Sequence, residues 1–160
     1  MKLKCSLLLL FIVALTSCND SSFNNENRIS RDNSLLILNI EKDLFEQINT
    51  YRKEIGLTIL ISNNEADKSA NEHTTYMVSE GKISHDSFNS RASSLAEDTN
   101  AIVIKENVAK NYKTAEEAIN GWLNSEAHKN TIEGDFTHTG ISIKADEKGV
   151  LYFTQLFLKK

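Results

Sequence analysis

Apolar residues recur at intervals of three or four along the first part of the chain. Between Ser34 and Ile55 they fall on one side of a helical period, as Ile37, Ile40, Leu44, Ile48, Tyr51 and Ile55. This spacing predicts an amphipathic helix, and Gly56 is placed to end it. A second helix is predicted from a cap at Asn63 or Asn64 to about residue 80. Gly81 would stop it, and its inward stripe would be Ala66, Ala70, His73 and Met77.

The stretch Thr114–Ile132 contains the only tryptophan of the chain. Thr114 and Glu117 have the spacing of a capping box at a helix start. The apolar residues that follow at helical spacing are Ala115, Ala118, Ile119, Trp122 and Leu123. The pattern stops at residues 124–125, and His128 follows in a polar run. We therefore predict a buried helix that delivers His128 to its exposed end.

Strand patterns occupy the remaining apolar segments. Leu57, Ile59 and Ile61 indicate a brief extended segment, and Ala101–Ala109 begins with β-branched residues. Thr137–Ala145 alternates, whereas Val150–Leu158 is almost wholly apolar, which is typical of a strand covered on both faces. A loop at residues 82–89 and a short helix at 91–98 complete the order. Helices that flank a small antiparallel sheet predict an α+β domain.

The first 17 residues have the features of an export signal. Lys2 and Lys4 precede nine consecutive apolar residues, Leu7–Leu15. Nine is too few to span a bilayer as a helix, which takes about 20, but it suits a signal peptide. The segment Leu15-Thr16-Ser17-Cys18 that follows resembles a bacterial lipobox. That resemblance implies cleavage before Cys18, lipidation of its sulfur and anchoring in a membrane of the bacterial cell envelope; a plain secretory signal is the alternative.

Composition narrows what the exported chain can be. Residues 18–34 are rich in Asn and Ser and predict a flexible tether, which leaves residues 35–160 as the folded domain. The formal net charge is −4, and no basic stripe is present, so nucleic acid is not an expected partner. Cys5 would leave with the signal and Cys18 would be acylated. The domain is therefore expected to contain no disulfide.

Three polar residues stand next to predicted elements and could carry chemistry. They are His85 in the loop after the second helix, Glu106 near the end of an apolar run, and His128. Together they could hold a divalent cation such as Zn, Ca or Mg, or form an acid–base pair. They could equally be surface residues beside caps and turns. His73 lies on an apolar stripe and is predicted to be a packed, hydrogen-bonded histidine.

The motifs in their order resemble those of the CAP superfamily, the SCP-like domains named for cysteine-rich secretory proteins. The matching segments are FEQINTYRKEIGLTIL, YMVSEGKISHDSF, KENVAKN, TAEEAINGWLNSEAHKNTI, FTHTGISI and YFTQLF, which span residues 43–158. The resemblance implies a three-layer α–β–α sandwich with a shallow cleft lined by two histidines and two acidic residues. His85 matches the first histidine. Glu106, followed by Asn107, matches the acid of a Gly-Glu-Asn motif in which Lys105 replaces the glycine.

The resemblance is incomplete at the other two cleft positions. Where disulfide-bonded members have a glutamate, this chain has Ser125, and Glu126 comes one position late. Bacterial members carry the Ser-x-x-His formed here by Ser125 and His128. The second family histidine is replaced by Tyr152, in a string that ends at Gln155. We expect His138, on the neighbouring strand, to compensate.

Three functions are consistent with these residues. The first is a non-enzymatic envelope module, anchored at Cys18, that binds a lipid, glycan or protein in the cleft and requires no cofactor. The second is a hydrolase of the peptidase kind that uses His85 or His128 as base with Glu106 as orienting group or metal ligand. The third is a structural module with a vestigial cleft. No serine or cysteine has a recognisable activating context, so we favour a binding role over catalysis.

Overall fold

The computed structural model describes the backbone of residues 21–160 and the side chains of residue 28 and residues 31–160. The predicted signal peptide and Cys18 lie outside these residues. In the described part, the elements are α1 (Ser21–Glu54), β1 (Ile61–Ser62), α2 (Asn64–Glu80), α3 (Phe88–Thr99), β2 (Val103–Lys110), α4 (Ala115–Leu123), α5 (Glu126–Ile132), β3 (His138–Ala145) and β4 (Leu151–Lys159). None of the described helices is long and apolar enough to cross a membrane.

The four strands form one mixed sheet in the order β1-β3-β4-β2. β4 pairs antiparallel with both β2 and β3, as predicted. The prediction of a wholly antiparallel sheet is wrong, because β1 pairs parallel with β3. A parallel pair needs a crossover connection, and the long segment that includes α2 supplies it. β2 is left at one edge of the sheet.

Helices cover both faces of the sheet. On one face, the apolar side chains of α1, α4 and α5 pack on β-strand residues Ala109, Ile143, Phe153 and Phe157. On the other face, α2 and α3 pack on Val108, Tyr152, Leu156 and Leu158. Because successive strand residues point to opposite faces, β4 is buried along nearly its whole length. The α–β–α sandwich is confirmed.

Helix α1 begins 13 residues earlier than the apolar pattern predicts. The tether expected at residues 18–34 is helical from Ser21 onward. Residues 31–36 are exposed, and packing against the core begins with Ile37 and Ile40. The apolar period therefore marks only the packed part of the helix. At the other end, Ile55 follows the last helical residue and is 45% exposed, contrary to the prediction.

The predicted extended segment leads into the short strand β1. Leu60 is buried, whereas Ile59 and Ile61 are exposed. The side chain of Asn49 accepts a hydrogen bond from the Leu60 N–H at 2.7 Å and donates one to its carbonyl at 3.0 Å. These two bonds fix the backbone so that Leu60 points into the core, a long-range contact that alternation alone does not reveal.

The outer edge of β3 is closed by side chains beyond the two residues that pair with β1. The Ile141 N–H donates to Asp67 of α2 at 2.9 Å, and the Ile143 N–H donates to Glu41 of α1 at 2.7 Å. A groove of about 460 Å³ runs between the two helices over this edge. Gly140, the residue before Ile141, lies so close to α2 that a Cβ there would come within 2.2 Å of the Ala66 backbone.

A buried arginine joins the end of α1 to the segment before β3. Arg52 is 1% exposed, and its guanidinium donates to the carbonyls of Ile132, Gly134 at 2.9 Å and Phe136 at 3.1 Å. Its Nε donates to the Thr58 carbonyl at 2.9 Å. Burial lowers the pKa of Arg52 from its usual value. The Arg52 side chain thus donates the hydrogen bonds that the carbonyls between α5 and β3 do not receive from a neighbouring strand.

Candidate functional site

Glu106 is the centre of a polar cluster on the edge strand β2. Its carboxylate is 1% exposed and points to the face covered by α2 and α3. Arg91 donates to both carboxylate oxygens, at 2.7 Å and 3.1 Å, in a bidentate pair. His85 Nδ1 lies 2.9 Å from Oε1. A buried carboxylate is stable only when it is paired and hydrogen-bonded, and here both oxygens have partners.

His85 is the exposed member of this cluster. It lies in the loop between Gly81, which ends α2 in the left-handed conformation, and the start of α3. Its side chain is 54% exposed, so its ring bridges the buried carboxylate and solvent. The resemblance paired His85 with Glu106, and the structure brings them together. An imidazole held through Nδ1 can present its other nitrogen to a ligand.

Arg91, which the sequence patterns did not single out, is the strongest partner of Glu106. It lies in the first turn of α3, where its Nε also donates to the Asp86 carbonyl at 3.3 Å and its guanidinium lies over the Phe88 ring. Arg91 is three residues after Phe88 and four before Leu95, which places a charged residue on the apolar side of a short helix. That position was the available sign of a buried ion pair.

His73 is packed and hydrogen-bonded, as predicted, but it also borders the cluster. Its ring is 2% exposed, and Nε2 lies 2.7 Å from the Ser84 carbonyl and 3.8 Å from the Glu106 carboxylate. A carbonyl can only accept, so Nε2 carries the proton. Burial lowers the pKa of His73 below its usual 6.5, which keeps the ring neutral near pH 7. It ties the His85 loop to α2.

Asn107 and His128 lie on the face of the sheet opposite to Glu106. Consecutive strand residues face opposite ways, so Asn107 points toward α5, where its Nδ2 donates to the His128 carbonyl at 3.1 Å. The polar run after α4 that contains His128 forms the short helix α5, so His128 is half-buried there rather than at the exposed end of α4, as predicted. Its ring lies 6.5 Å from the Trp122 ring. Burial, and then the charge of His85, lower the pKa of His128.

The remaining predicted cleft residues lie elsewhere or take no part in the cluster. Ser125 occupies the cap of α5 without a side-chain cap bond, and Glu126 is exposed in its first turn. Tyr152 is buried in the core under α2. Gln155 is buried opposite Asn107, and its Nε2 donates to Thr139 at 3.0 Å. These positions follow from strand alternation and from packing, which local motifs do not encode.

His138 is not brought to the site. It lies on β3, which β4 separates from β2, and its Nδ1 lies 2.9 Å from Thr137 Oγ1. Burial, and then the charge of Lys160, lower its pKa. The expectation that His138 replaces the missing cleft histidine is therefore wrong, because a whole strand intervenes.

The cluster does not have the arrangement of a metal site. Among the described residues, no group of three or more His, Cys, Asp or Glu side chains is placed to hold a metal ion. Arg91 occupies both oxygens of Glu106, so a cation would have to displace a guanidinium. His85, Glu106 and His128 thus do not converge on one point as ligands do.

A cavity of about 270 Å³ adjoins the ion pair on the α2 side. Its lining consists of Glu72, His73, Tyr76, Asp86, Ser87 and Arg91. Tyr76 donates to the Asp86 carboxylate at 2.8 Å, which lowers the pKa of Asp86. The site as a whole therefore combines an exposed imidazole, a partly exposed tyrosine ring, carboxylates and a guanidinium. Such a set can bind a polar ligand through many hydrogen bonds.

Comparison with known proteins agrees with this architecture. YkwD of Bacillus subtilis (strain 168), an uncharacterized protein, is 33% identical over 124 residues, which are 75% of this chain and 47% of that protein. YlbC, an uncharacterized membrane protein of the same strain, is 43% identical over 56 residues, 34% of this chain and 15% of that protein. The chain thus spans less than half the length of these curated relatives.

Solved structures share the fold. An outer surface protein from Borrelia burgdorferi superimposes with a TM-score of 0.67 at 22% identity, covering 74% of this chain and 91% of that one. An SCP-domain extracellular protein from Bacillus anthracis gives a TM-score of 0.67 at 24% identity, covering 76% and 41%. The model of the cysteine-rich secretory protein family, CAP, matches residues 45–157. Because this match covers more than half of the chain, the chain belongs to the CAP family.

Proposed function

We propose that the protein is a lipid-anchored binding module of a bacterial cell envelope, which holds a polar ligand at the His85–Glu106 cleft and performs no chemistry on it. One observation carries the proposal. Both oxygens of Glu106 accept hydrogen bonds from Arg91 or His85, and its side chain is only 1% exposed, so this carboxylate is poorly placed to meet a substrate as a base. A group held so firmly positions other side chains.

Envelope glycan is the ligand class that the adjoining cavity suits best. Sugar hydroxyls both donate and accept, and the cavity offers the carboxylates of Glu72 and Asp86 beside the guanidinium of Arg91. Tyr76 is 38% exposed and can pack its ring against a sugar face. The exposed imidazole of His85 lies next to this set. Lipid and protein ligands are the competing classes.

Titration calorimetry of the protein with soluble peptidoglycan fragments tests the binding role. We expect heat of binding for the wild type, which Tyr76→Ala and His85→Gln both reduce. His138→Gln is the matched control, because it removes a histidine from another strand and should leave binding unchanged. The glycan assignment fails if the wild type binds no fragment, or if all three variants bind equally.

Mass spectrometry of the same mixtures distinguishes binding from hydrolysis. The fragments should keep their mass after prolonged incubation. New cleavage products that disappear in His128→Gln would replace the binding role with the hydrolase. In this second role His128 would be the base: burial lowers its pKa, so the ring is neutral near pH 7 and one nitrogen can accept a proton, but the same shift makes it a weaker base.

The anchor is tested separately at Cys18, which lies only three residues before α1. Neighbours of this fold include an outer surface protein and an extracellular protein, which supports export. The N-terminal peptide of the mature protein should carry the mass of acyl chains. Cys18→Ala should move the protein from the membrane to the soluble fraction. An unmodified peptide would reduce the export route to plain secretion.

A further inference from the structure

Although no basic stripe was expected from the sequence, the exposed half of α1 carries basic and apolar side chains along one side. Arg28, Arg31, Leu35, Leu38 and Lys42 follow one another at spacings of three and four, which places them on one side of the helix. All five are exposed, with Leu35 at 54% and Leu38 at 58%. Ile37 and Ile40, on the opposite side, pack on the core. The stripe therefore lies on the side of α1 opposite the core, and its last two residues, Leu38 and Lys42, also line the groove between α1 and α2.

Neighbouring elements extend this surface. Leu36, also 58% exposed, lines a groove of about 460 Å³ together with Tyr112, Lys113, Lys148 and Leu151. Lys113 and Lys148 thus lie beside Leu36, on the side of α1 away from the stripe. Asp32 is the acidic residue of α1 nearest to Leu35, at the centre of the stripe. Leucines ringed by Arg and Lys are typical of helices that lie in a lipid interface. The basic residues complement anionic headgroups.

The proposed anchor places this surface near a bilayer. This step rests on the proposed function, because Cys18 precedes Ser21, the first residue of α1, by three positions. At 1.5 Å per residue, an upright helix would hold Leu35 about 20 Å above the anchor. A helix that lies along the membrane instead brings Leu35 and Leu38 into the interface while Arg28 and Arg31 reach the phosphates.

We propose that the N-terminal half of α1 docks on the anionic lipid surface of the membrane that holds the anchor, through Arg28, Arg31, Leu35 and Leu38, with Lys113 and Lys148 at its margin. The domain then lies against the membrane in one orientation. The anchor fixes the distance, and this surface fixes which side of the domain faces outward.

Site-directed spin labelling of the full lipidated chain in vesicles of phosphatidylglycerol and phosphatidylcholine tests the docking. The mature protein would have no free thiol, so Leu35→Cys supplies a single labelling site. Ile102→Cys is the matched control: Ile102 is 77% exposed and lies at the opposite end of β2 from Tyr112. We expect the label at 35 to collide with oxygen often and with an aqueous nickel chelate several-fold less often than the label at 102.

Equal nickel accessibility at 35 and 102 would overturn the docking while leaving the anchor intact, since the mass of the N-terminal peptide reports the anchor independently. If that mass shows no acyl chains, the same labels are measured in the Cys18→Ala background, which keeps one labelling site, after the unlipidated chain is mixed with the vesicles. Immersion of the label at 35 then supports docking without the anchor, and its continued exposure rejects it. Spin–spin broadening between labels at 35 would show a second copy on the stripe and would also reject the lipid surface.

The basic residues have their own comparison. Arg28→Gln with Arg31→Gln should raise nickel accessibility at 35 on phosphatidylglycerol-rich vesicles, whereas Lys68→Gln on α2 should not. Because Arg28 and Arg31 are exposed, neither change threatens the fold. If the double variant matches the wild type, the anionic lipid surface is the wrong partner.

Discussion

The neighbours of Glu106 in its almost closed site come from three separate parts of the chain. Arg91 comes from α3, His85 from the loop before it, and His73 borders the carboxylate from α2. The resemblance to a known motif identified the histidine and the glutamate. It did not reveal Arg91, because an arginine on the apolar side of a short helix can be recognised as part of an ion pair only when its buried partner, Glu106, is known.

Arg91→Met should destabilise the fold by about 2–4 kcal/mol, because it leaves a buried carboxylate with only His85 as a close donor. The measurement is urea unfolding near neutral pH. Lys105→Met, an exposed cation on the same strand as Glu106, is the control and should change little. Combining Arg91→Met with Glu106→Leu should recover part of the loss. Additive losses in that double mutant would contradict a coupled pair.

His73 should make the fold less stable in mild acid. Its folded pKa lies below 6.5, so the unfolded chain binds the proton first as the pH falls, and stability declines from about pH 7 until the folded pKa is passed. One such group contributes up to about 1.4 kcal/mol per pH unit. Urea unfolding at several pH values should show a shallower decline for His73→Gln than for the wild type.

His138→Gln is the comparison for that slope. His138 is only half-buried, and it should contribute less to the decline than His73. A His73→Gln profile that runs parallel to the wild-type profile would show that burial of this ring is not linked to acid sensitivity.

At the scale of elements, capping residues predicted boundaries well and short segments poorly. Asn63 caps α2 by accepting from the Ala66 N–H at 2.9 Å, and Gly81 ends it at φ +66°, both as predicted. Thr114 likewise caps α4. By contrast, α5 has seven residues, too few for an apolar period to be recognised. β1 has only two residues, so its pattern could not show which side chains face the core.

Arg52→Met should lower the free energy of unfolding by about 3 kcal/mol or more, since it removes the donors of several buried carbonyls at once. Those carbonyls belong to the segment between α5 and β3, so protection of its amides from hydrogen exchange should fall as well. Lys53→Met, at the next and exposed position, is the control. Equal stability of the two variants would show that water replaces the guanidinium without loss.

Gly140→Ala should destabilise the contact of α2 with β3 by about 1–3 kcal/mol, because its Cβ would meet backbone atoms at 2.2 Å and 2.4 Å. Gly121→Ala is the matched control: its nearest neighbour is the hydroxyl end of Tyr112, which can rotate away. Thermal unfolding of the two variants gives the comparison. The prediction fails if Gly140→Ala unfolds at or above the temperature of Gly121→Ala.

For the whole molecule, the sequence was sufficient to predict the α–β–α sandwich but not which residues meet in the cleft. Segments such as KENVAKN and YFTQLF carry family spacing, and alternation within β3 and β4 follows from burial. The cleft depends instead on which helix faces which strand edge. His138 was predicted to join Glu106 although β4 lies between their strands, because strand order is a long-range property that adjacent motifs do not contain.

The closed edge of β3 has a consequence for how the protein behaves in concentrated, acidified solution. Burial raises the pKa of Glu41, so its ionised form costs stability, and that cost is relieved as the pH falls through the raised value. Acid therefore neutralises the Glu41 carboxylate at the edge of β3, and the protonation of Glu41 does not itself lower the stability of the fold. An uncharged sheet edge can pair with strands of other molecules.

We expect reversible, concentration-dependent light scattering in mild acid. Glu41→Gln should scatter already at neutral pH, whereas Glu46→Gln, farther along α1, should remain clear; a clear Glu41→Gln solution would assign the scattering to another surface.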